Sequence, residues 1–182
     1  MNFVGDLMNE PWLKAYLFPE SGQMTLTVKD VRKMEVSFDG KDKETHTVMS
    51  FQEIGAELTL AKINVIPIIK MLGNDVRSWI GKRITFYTTN QVMPHPLRKD
   101  EPCIRVYGSP DIREEMICEW TPPKRRKLVQ KLHPTGKFNA AMRKISSGQI
   151  DGLEARIKEL TKTGELTKEE SEILIAELSA RG

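Results

Sequence analysis

Met24-Thr-Leu-Thr-Val-Lys29 alternates apolar and polar residues with a period of two, which is the pattern of a half-buried strand. Its three apolar residues share one face, but the next apolar residue, Val31, breaks that parity. We therefore expect a bulge or a sharp bend near Asp30. Such a bend lets one long first strand serve both halves of a closed barrel.

The residues after this strand predict four more strands and one helix. The further strands are expected at residues 45–51, 57–60, 79–87 and 103–107. Asp39-Gly40 indicates a turn between the first two strands. The helix is expected to begin near Asn64, which is a favoured N-cap residue, to carry Pro67 in its first turn and to end at Gly73.

A helix between the third and fourth of five strands is the layout of an OB-fold, a partly open Greek-key barrel that commonly binds oligonucleotides. The predicted fold class is therefore mainly β. It consists of a five-stranded OB-like barrel with a helix between strands 3 and 4, followed by a basic linker and a C-terminal α-helical hairpin. An SH3-like barrel and a generic five-stranded sandwich are the competing layouts, and the helix argues against both.

Positive charge is concentrated in one segment. Residues 120–150 hold 8 basic and no acidic residues, whereas residues 1–119 hold 15 basic and 17 acidic ones and residues 151–182 hold 5 and 8. Three parts are predicted: an OB-like β-barrel domain over 1–119, a basic linker with a short helix over 120–150, and a helical hairpin for docking or oligomerisation over 151–182. Segregated positive charge is typical of nucleic-acid binding, although a linker that is basic by chance is the alternative.

Composition excludes several other classes of protein. Hydrophobic residues make up 39% and charged residues 29%, as in an ordinary globular protein, and no apolar run approaches the ~20 residues that span a bilayer. Cys103 and Cys118 form no Cys-x-x-Cys pair, which favours a reducing, cytoplasmic setting. The three histidines are scattered over separate elements and no phosphate-binding loop or nucleophile motif occurs, so neither catalysis, a metal nor a cofactor is expected.

Four segments carry a resemblance to a known group of proteins. They are Ala61-Lys-Ile-Asn64, Leu72-Gly-Asn-Asp75, Trp79-Ile-Gly-Lys-Arg-Ile-Thr85 and Cys103-Ile-Arg-Val106. Together they resemble small phage and prophage OB-fold-like proteins encoded near replication and recombination genes. The resemblance covers about residues 26–107 and implies a role in single-stranded DNA metabolism in the cytoplasm of a bacterial host.

The residues expected to contact nucleic acid fall into two groups. Single-strand binders combine a cationic groove with aromatic faces on which bases stack. Period-two alternation places Arg83, Tyr87, Arg105 and Tyr107 outward on the last two strands, as a stacking platform. Burial of both tyrosines under a neighbouring segment is the alternative. The cations expected to contact phosphates are Arg98, Lys99, Lys124, Arg125, Arg126, Lys127 and Lys131.

Two tryptophans bear on the same question. Trp79 lies at the start of a strand after an amphipathic helix, where a large ring usually fills the core. Trp120 borders the basic segment, and either stacking on a base or filling the junction with the linker fits its position.

The C-terminal residues predict two short helices joined at Gly164. Thr167, followed three residues later by Glu170, is a capping box for the last helix. The hairpin weakly resembles the C-terminal helical module called SHOCT, which implies self-association or docking to a protein partner. Because so small a hairpin cannot bury enough apolar area alone, it must lie on the barrel, on another copy or on a different protein.

The predicted function is a non-catalytic, sequence-tolerant single-stranded DNA-binding protein of phage-type DNA replication or recombination. Its partners would be single-stranded DNA and, through the C-terminal helices, a second copy or another protein, with no membrane. The near-neutral charge of residues 1–119 favours an alternative, an OB-like interaction module that binds a recombinase, a polymerase or a host factor without contacting DNA. An RNA-binding module is a third interpretation.

Overall fold

The computed structural model describes residues 11–37, 43–90, 102–121 and 127–180 of the chain. In this part of the chain the strands are β1 (Gln23–Val36), β2 (Glu44–Phe51), β3 (Leu58–Thr59), β4 (Arg83–Thr89), β5 (Cys103–Ser109), β6 (Met116–Trp120) and β7 (Leu128–Pro134). They form one open sheet in the order β3-β2-β1-β4-β5-β7-β6. The sheet is mixed, because β5 and β7 pair in parallel while the other neighbours are antiparallel.

The helices of the described residues are α1 (Lys62–Leu72), α2 (Gly136–Ser146), α3 (Leu153–Lys162) and α4 (Lys168–Ser179). Single 3-10 turns lie at Ala15–Leu17 and Val76–Trp79. Within the described ranges no helix has both the length and the apolar character that crossing a membrane requires.

The bend predicted in the first strand is confirmed. β1 pairs with β4 over Gln23–Thr27 and with β2 from Val28 onward, and the register shifts between Val28 and Asp30. A bulge adds one residue to one strand and bends it, which redirects β1 from one neighbour to the other. The turn predicted at Asp39-Gly40 lies outside the described residues.

The prediction of a closed five-stranded OB-like barrel is wrong. The observed sheet has seven strands and remains open, with β3 and β6 at its edges. β3 spans only two residues and pairs with β2 alone, so the described residues contain no pairing that would close a barrel. Instead β5 continues the sheet through β7 and β6, which form an antiparallel hairpin.

Burial explains the two additional strands. Met116, Cys118 and Trp120 alternate along β6 and pack toward the main core, and Leu132 of β7 is fully buried there. Apolar residues with this period belong to a strand with one buried face. The predicted basic linker of residues 120–150 therefore contains β7 and α2.

The main core lies between the sheet and α1, where Phe86 and Ile68 are among the fully buried side chains. The helix ends at Gly73 as predicted, with a left-handed φ of 89°. It begins earlier than predicted, because Ala61 is the N-cap and Asn64 lies inside the helix. The buried Asn64 side chain instead donates Nδ2–H to the carbonyl oxygen of Ile104, at 3.2 Å.

A second, smaller core joins α2, α3 and α4, which we call the helical unit. Phe138, Ile145, Ile157 and Leu174 are buried in it. The apolar side of the predicted C-terminal hairpin is thus covered by α2 of the same chain. The predicted capping box is confirmed, because the Thr167 side chain accepts from the Glu170 backbone N–H and the Glu170 carboxylate accepts from the Thr167 backbone N–H.

Candidate nucleic-acid interface

One face of the sheet brings five side chains together across β4, β5 and β7. Strand alternation turns Tyr87, Arg105, Tyr107, Lys131 and His133 away from the main core, while their neighbours Phe86, Val106 and Leu132 are fully buried. Tyr87 lies opposite Arg105 in the β4–β5 register, and His133 lies beside Gly108 in the β5–β7 register. We call these five outward residues the platform.

Three aromatic rings form a row on the platform. The Tyr87 and Tyr107 rings meet edge to face, with centroids 5.8 Å apart and planes at 73°. The Tyr107 and His133 rings are stacked, with centroids 4.7 Å apart and planes at 27°. All three side chains are half-buried, so the alternative in which a neighbouring segment buries both tyrosines completely does not occur. Each ring contacts its neighbour in the row, and part of the surface of each ring remains accessible to solvent.

A glycine makes the β5–β7 contact possible. A Cβ atom added at Gly108 would lie 1.8 Å from the carbonyl oxygen of His133, closer than any real contact. Only a residue without a side chain therefore lets β7 approach β5 and bring the His133 ring onto Tyr107. The Gln130 side chain adds a hydrogen bond to the carbonyl oxygen of Val106 across the same pair of strands.

The cations of the platform differ in their partners. Arg105 donates Nη1–H to the Ile104 carbonyl oxygen at 2.9 Å and contacts no carboxylate of the described residues. Lys131 lies 3.0 Å from one carboxylate oxygen of Glu115, and Nδ1 of His133 lies 3.1 Å from the other. The hydrogen bond from Lys131 lowers the pKa of Glu115 below its ordinary value, so this carboxylate is ionised at neutral pH.

A cleft of about 670 Å³ adjoins the platform and shares Tyr107 and His133 with it. Two arginines line the cleft. Arg113, from the loop between β5 and β6, lies over the Phe138 ring with its Cζ atom 3.9 Å from the centroid. Arg143, from α2, donates Nη1–H to the Pro134 carbonyl oxygen at 3.1 Å. Thr135 and Gly136, where α2 begins, complete that side of the cleft.

Arg83 lies on the same face of β4 but is engaged within the chain. Its guanidinium lies 2.7 Å from Asp111 and 3.2 Å from Glu170, and its backbone N–H also donates to Asp111. We call these three residues the joint, because they connect the sheet to α4. Asn139 strengthens the connection from α2, since its side-chain amide donates to the carbonyl oxygens of Pro110 and Ile112.

The contacts of Glu170 lower the pKa of its carboxyl group. Burial alone would raise the pKa of this carboxyl group. The hydrogen bond from the Thr167 backbone N–H and the contact with Arg83 outweigh that effect, so the pKa of Glu170 lies below its ordinary value. The negative charge of Glu170 is therefore stabilised by the folded chain.

The remaining sequence-predicted cations do not join the platform. Lys127 lies next to the start of β7 and forms an ion pair with Glu119 of β6 at 2.5 Å. The other predicted phosphate contacts lie outside the described residues: Arg98, Lys99, Lys124, Arg125 and Arg126. Of the predicted set, the structure thus brings together Tyr87, Arg105, Tyr107 and Lys131, with Arg83 beside them in the joint.

Both tryptophans pack in or against the main core. Trp79 is 2% exposed in the main core, as predicted, and its indole N–H donates to the Gly73 carbonyl oxygen at 2.8 Å. Trp120 is partly buried against the same core, which matches the junction-filling interpretation of its position.

Sequence reasoning missed His133, Arg113 and Arg143 as site residues. The period of two in Val129, Lys131 and His133 could have predicted a strand with His133 facing outward. The surrounding basic residues instead indicated a linker. Arg113 and Arg143 belong to a loop and a helix, and only the tertiary fold brings them to one cleft.

The described residues contain no cluster of His, Cys, Asp and Glu that would hold a metal ion. Comparison with protein-family models, with curated proteins and with solved structures gives no match to this chain. The geometry of the platform therefore carries the functional interpretation.

Proposed function

We propose that this chain is a non-catalytic, sequence-tolerant single-stranded DNA-binding protein, and that the strand lies across the platform. The observation that carries this proposal is the row of three half-exposed rings, Tyr87, Tyr107 and His133, on the face of a sheet beside Arg105 and Lys131. Sheet faces with exposed aromatic residues are a recurrent surface for unpaired bases.

Stacking explains why such binding would tolerate any sequence. Every base has a π-face, and base–aromatic stacking contributes about 1–3 kcal/mol per base by alanine substitution. The faces of paired bases are stacked on one another inside a duplex, whereas single-stranded bases are free to lie on the Tyr107 and His133 rings. The platform therefore favours single strands over duplexes without reading their order.

Cations supply the second part of the proposed affinity. Arg105 has N–H donors that are not used within the described residues, and β7, which belongs to the basic segment of residues 120–150, places Lys131 on the same face. If four to six phosphates are neutralised on single-stranded DNA, log K falls with log salt with a slope of roughly −3 to −4. A role in phage-type replication or recombination, in the cytoplasm of a bacterial host, is proposed from the sequence resemblance alone.

A titration of labelled oligo-dT and of a duplex of equal length, each at two salt concentrations, tests the proposed function. We expect preference for the single strand, marked weakening by salt, and loss of affinity in a Tyr87→Ala/Tyr107→Ala variant. Tyr16→Ala is the control, because Tyr16 is a 64% exposed tyrosine outside the platform. Absence of oligo-dT binding at low salt, or equal binding by the double variant, would overturn the proposal. An oligo-U arm of the same titration compares RNA with DNA.

A second candidate function is protein–protein interaction, and one observation favours it. Ile117 and Val129 are 54% and 60% exposed and lie diagonally across β6 and β7 on the outward face. Adjacent exposed apolar side chains on an edge hairpin are typical of a surface that contacts another protein. The result that would favour this candidate is failure to bind any oligonucleotide at low salt by a chain that is fully folded.

A further inference from the structure

The cleft beside the platform contains a cationic pair that stacking does not use. Arg113 and Arg143 are both exposed and line the same cleft from different elements, the β5–β6 loop and α2. Each guanidinium donates one N–H to a backbone carbonyl oxygen, Pro110 for Arg113 and Pro134 for Arg143. Since an arginine carries five N–H donors in a planar fork, each side chain is oriented and still has donors left.

Neither arginine forms an ion pair with a carboxylate of the described residues, unlike several cations of the sheet. Ion pairs occupy Arg32, Arg83, Lys127 and Lys131, whereas no carboxylate of the described residues lies within ion-pair distance of Arg113 or Arg143. A guanidinium fork matches the oxygens of a phosphate group better than a point charge does. The two side chains are therefore available to an anionic ligand in the cleft.

The charge balance of the cleft indicates which anion it suits. Its lining includes two arginines and two acidic residues, Glu114 and Glu115. The charge of Glu115 is countered by Lys131 at 3.0 Å. The remaining charges, those of the two arginines and of Glu114, give the cleft a net charge of about +1. One phosphodiester carries a single negative charge and would balance it.

We propose that the cleft holds one internal phosphodiester of the bound strand, between Arg113 and Arg143, next to a base stacked on the Tyr107–His133 pair. This assignment rests on the proposed function and adds a defined path, along which the strand passes from β5 over β7 toward α2. The volume of about 670 Å³ lies within the range of sites that accept a ligand of nucleotide size.

A salt-dependent double-mutant cycle tests this site on the full chain with oligo-dT. We expect Arg113→Gln and Arg143→Gln each to weaken binding about 3- to 10-fold at low salt, with the double variant little worse than either single one, because both contact the same phosphate. The slope of log K against log salt should flatten by about 0.7 in the double variant, which corresponds to one phosphate contact. Lys144→Gln is the matched control, since Lys144 is an exposed cation on α2 next to Arg143 and outside the cleft.

Two further arms keep the result interpretable if a variant is destabilised. Arg143→Lys retains the charge but loses the fork, and we expect it to lose part of the affinity with an unchanged salt slope. A series of oligo-dT molecules with a single neutral methylphosphonate at successive positions should show one sensitive position in the wild-type chain. That sensitivity should be absent in the Arg113→Gln/Arg143→Gln variant. A 5′-phosphate on the oligonucleotide should change affinity less than twofold.

The failure of this inference is distinguishable from failure of the proposed function. If the arginine double variant binds oligo-dT as the wild type does, with the same salt slope, while Tyr107→Ala weakens binding, the phosphate site is wrong and the platform stands. Additive effects of the two arginines with a slope change near 1.4 would replace one shared phosphate by two separate contacts and overturn the assignment. If the wild-type chain binds no oligo-dT, both proposals fall together.

Discussion

Arg83 and Tyr87 both point outward from β4 but have different roles. Arg83, at the start of the strand, is held by Asp111 and Glu170, and the joint fixes the helical unit to the sheet. Tyr87, four residues later, meets Tyr107 edge to face and remains half-exposed. Alternation alone sends both residues outward. What neighbouring elements place opposite each of them decides whether it holds the fold together or remains available to a ligand.

The contrast also separates the arginines of the chain. Arg83 satisfies two carboxylates, whereas Arg105, Arg113 and Arg143 donate only to backbone carbonyl oxygens among the described residues. A cation that neutralises buried or half-buried carboxylates is costly to remove from the fold. A cation held by a carbonyl oxygen, with a ring contact in addition for Arg113, should contribute less to the free energy of unfolding, and its removal should mainly weaken binding.

The largest effect should follow from Gly108→Ala. The added Cβ atom would overlap the His133 carbonyl oxygen, so β7 must move away from β5 and the Tyr107–His133 stack must break. We expect the free energy of unfolding to fall by about 2–4 kcal/mol, with loss of oligonucleotide binding. Urea unfolding of the full chain measures the free energy of unfolding, and the oligo-dT titration measures the loss of binding.

Gly148→Ala is the control for that substitution. Gly148 has a left-handed φ of 75° and no atom within 4 Å of an added Cβ, so its cost is conformational, about 1 kcal/mol, and binding should be unchanged. Equal stability of Gly108→Ala and the wild type would contradict the close approach of β5 and β7.

Next in size is the effect of breaking the joint. Arg83→Met would leave the carboxylates of Asp111 and Glu170, whose side chains are only 18% and 9% exposed, without their cation. We expect a loss of about 1–3 kcal/mol in stability. Glu170→Gln should cost less, because glutamine still completes the capping box while the charge is removed. If Arg83→Met left stability intact but abolished DNA binding, Arg83 would belong to the interface and not to the joint.

The joint also predicts a pH dependence. Because the pKa of Glu170 is lowered in the folded chain from an ordinary value of 4.5, its contribution to stability is complete above that value and is lost as the pH falls through the lowered pKa. Unfolding measured from pH 6 to pH 3 should show a steeper loss in the wild type than in Glu170→Gln. Parallel curves for the two proteins would argue against an ionised Glu170 in the joint.

Within the platform, Tyr107 should matter more than Tyr87. Tyr107 contacts both other rings, whereas Tyr87 contacts Tyr107 alone among the rings of the platform. We expect Tyr107→Ala to weaken oligo-dT binding by about 2–3 kcal/mol and Tyr87→Ala by about 1 kcal/mol. Fluorescence anisotropy at low salt resolves this difference. A larger effect of Tyr87→Ala would move the centre of the binding surface from β5 toward β4.

The smallest expected effect is a gain. Glu115→Gln removes the carboxylate that pairs with Lys131 and His133 and should tighten oligo-dT binding about two- to threefold at low salt. Glu119→Gln changes the net charge equally but releases Lys127, outside the platform, and should have less effect. Equal gains in both variants would show a general effect of net charge and no local competition by Glu115.

Local patterns predicted much of the sheet and its outward residues. The bulge near Asp30 followed from a single break in parity, and the outward positions of Tyr87 and Tyr107 followed from alternation. The helix end at Gly73 and the capping box of Thr167 are also local, because each depends on residues within one turn.

The sheet topology could not be read in this way. A closed barrel requires the third strand to pair with the fifth, and nothing in the sequence near Leu58 shows that β3 ends after two residues. β7 was not predicted, because the basic residues around it indicated a linker. Val129 and Lys131 face outward, and only Leu132 is fully buried. Its parallel pairing with β5 depends on contact between Gly108 and His133, which are distant in the chain.

Hydrogen–deuterium exchange of the full chain, with and without oligo-dT, tests most directly whether the strand lies on the platform. Bound oligo-dT should slow amide exchange in β4, β5 and β7, together with the residues around Arg113 and the start of α2. It should leave β2, β3 and the α3–α4 hairpin unchanged. Protection confined to α3 and α4 or to β2 and β3, with β5 and β7 unaffected by a strand that binds, would contradict the platform as the site of single-stranded DNA.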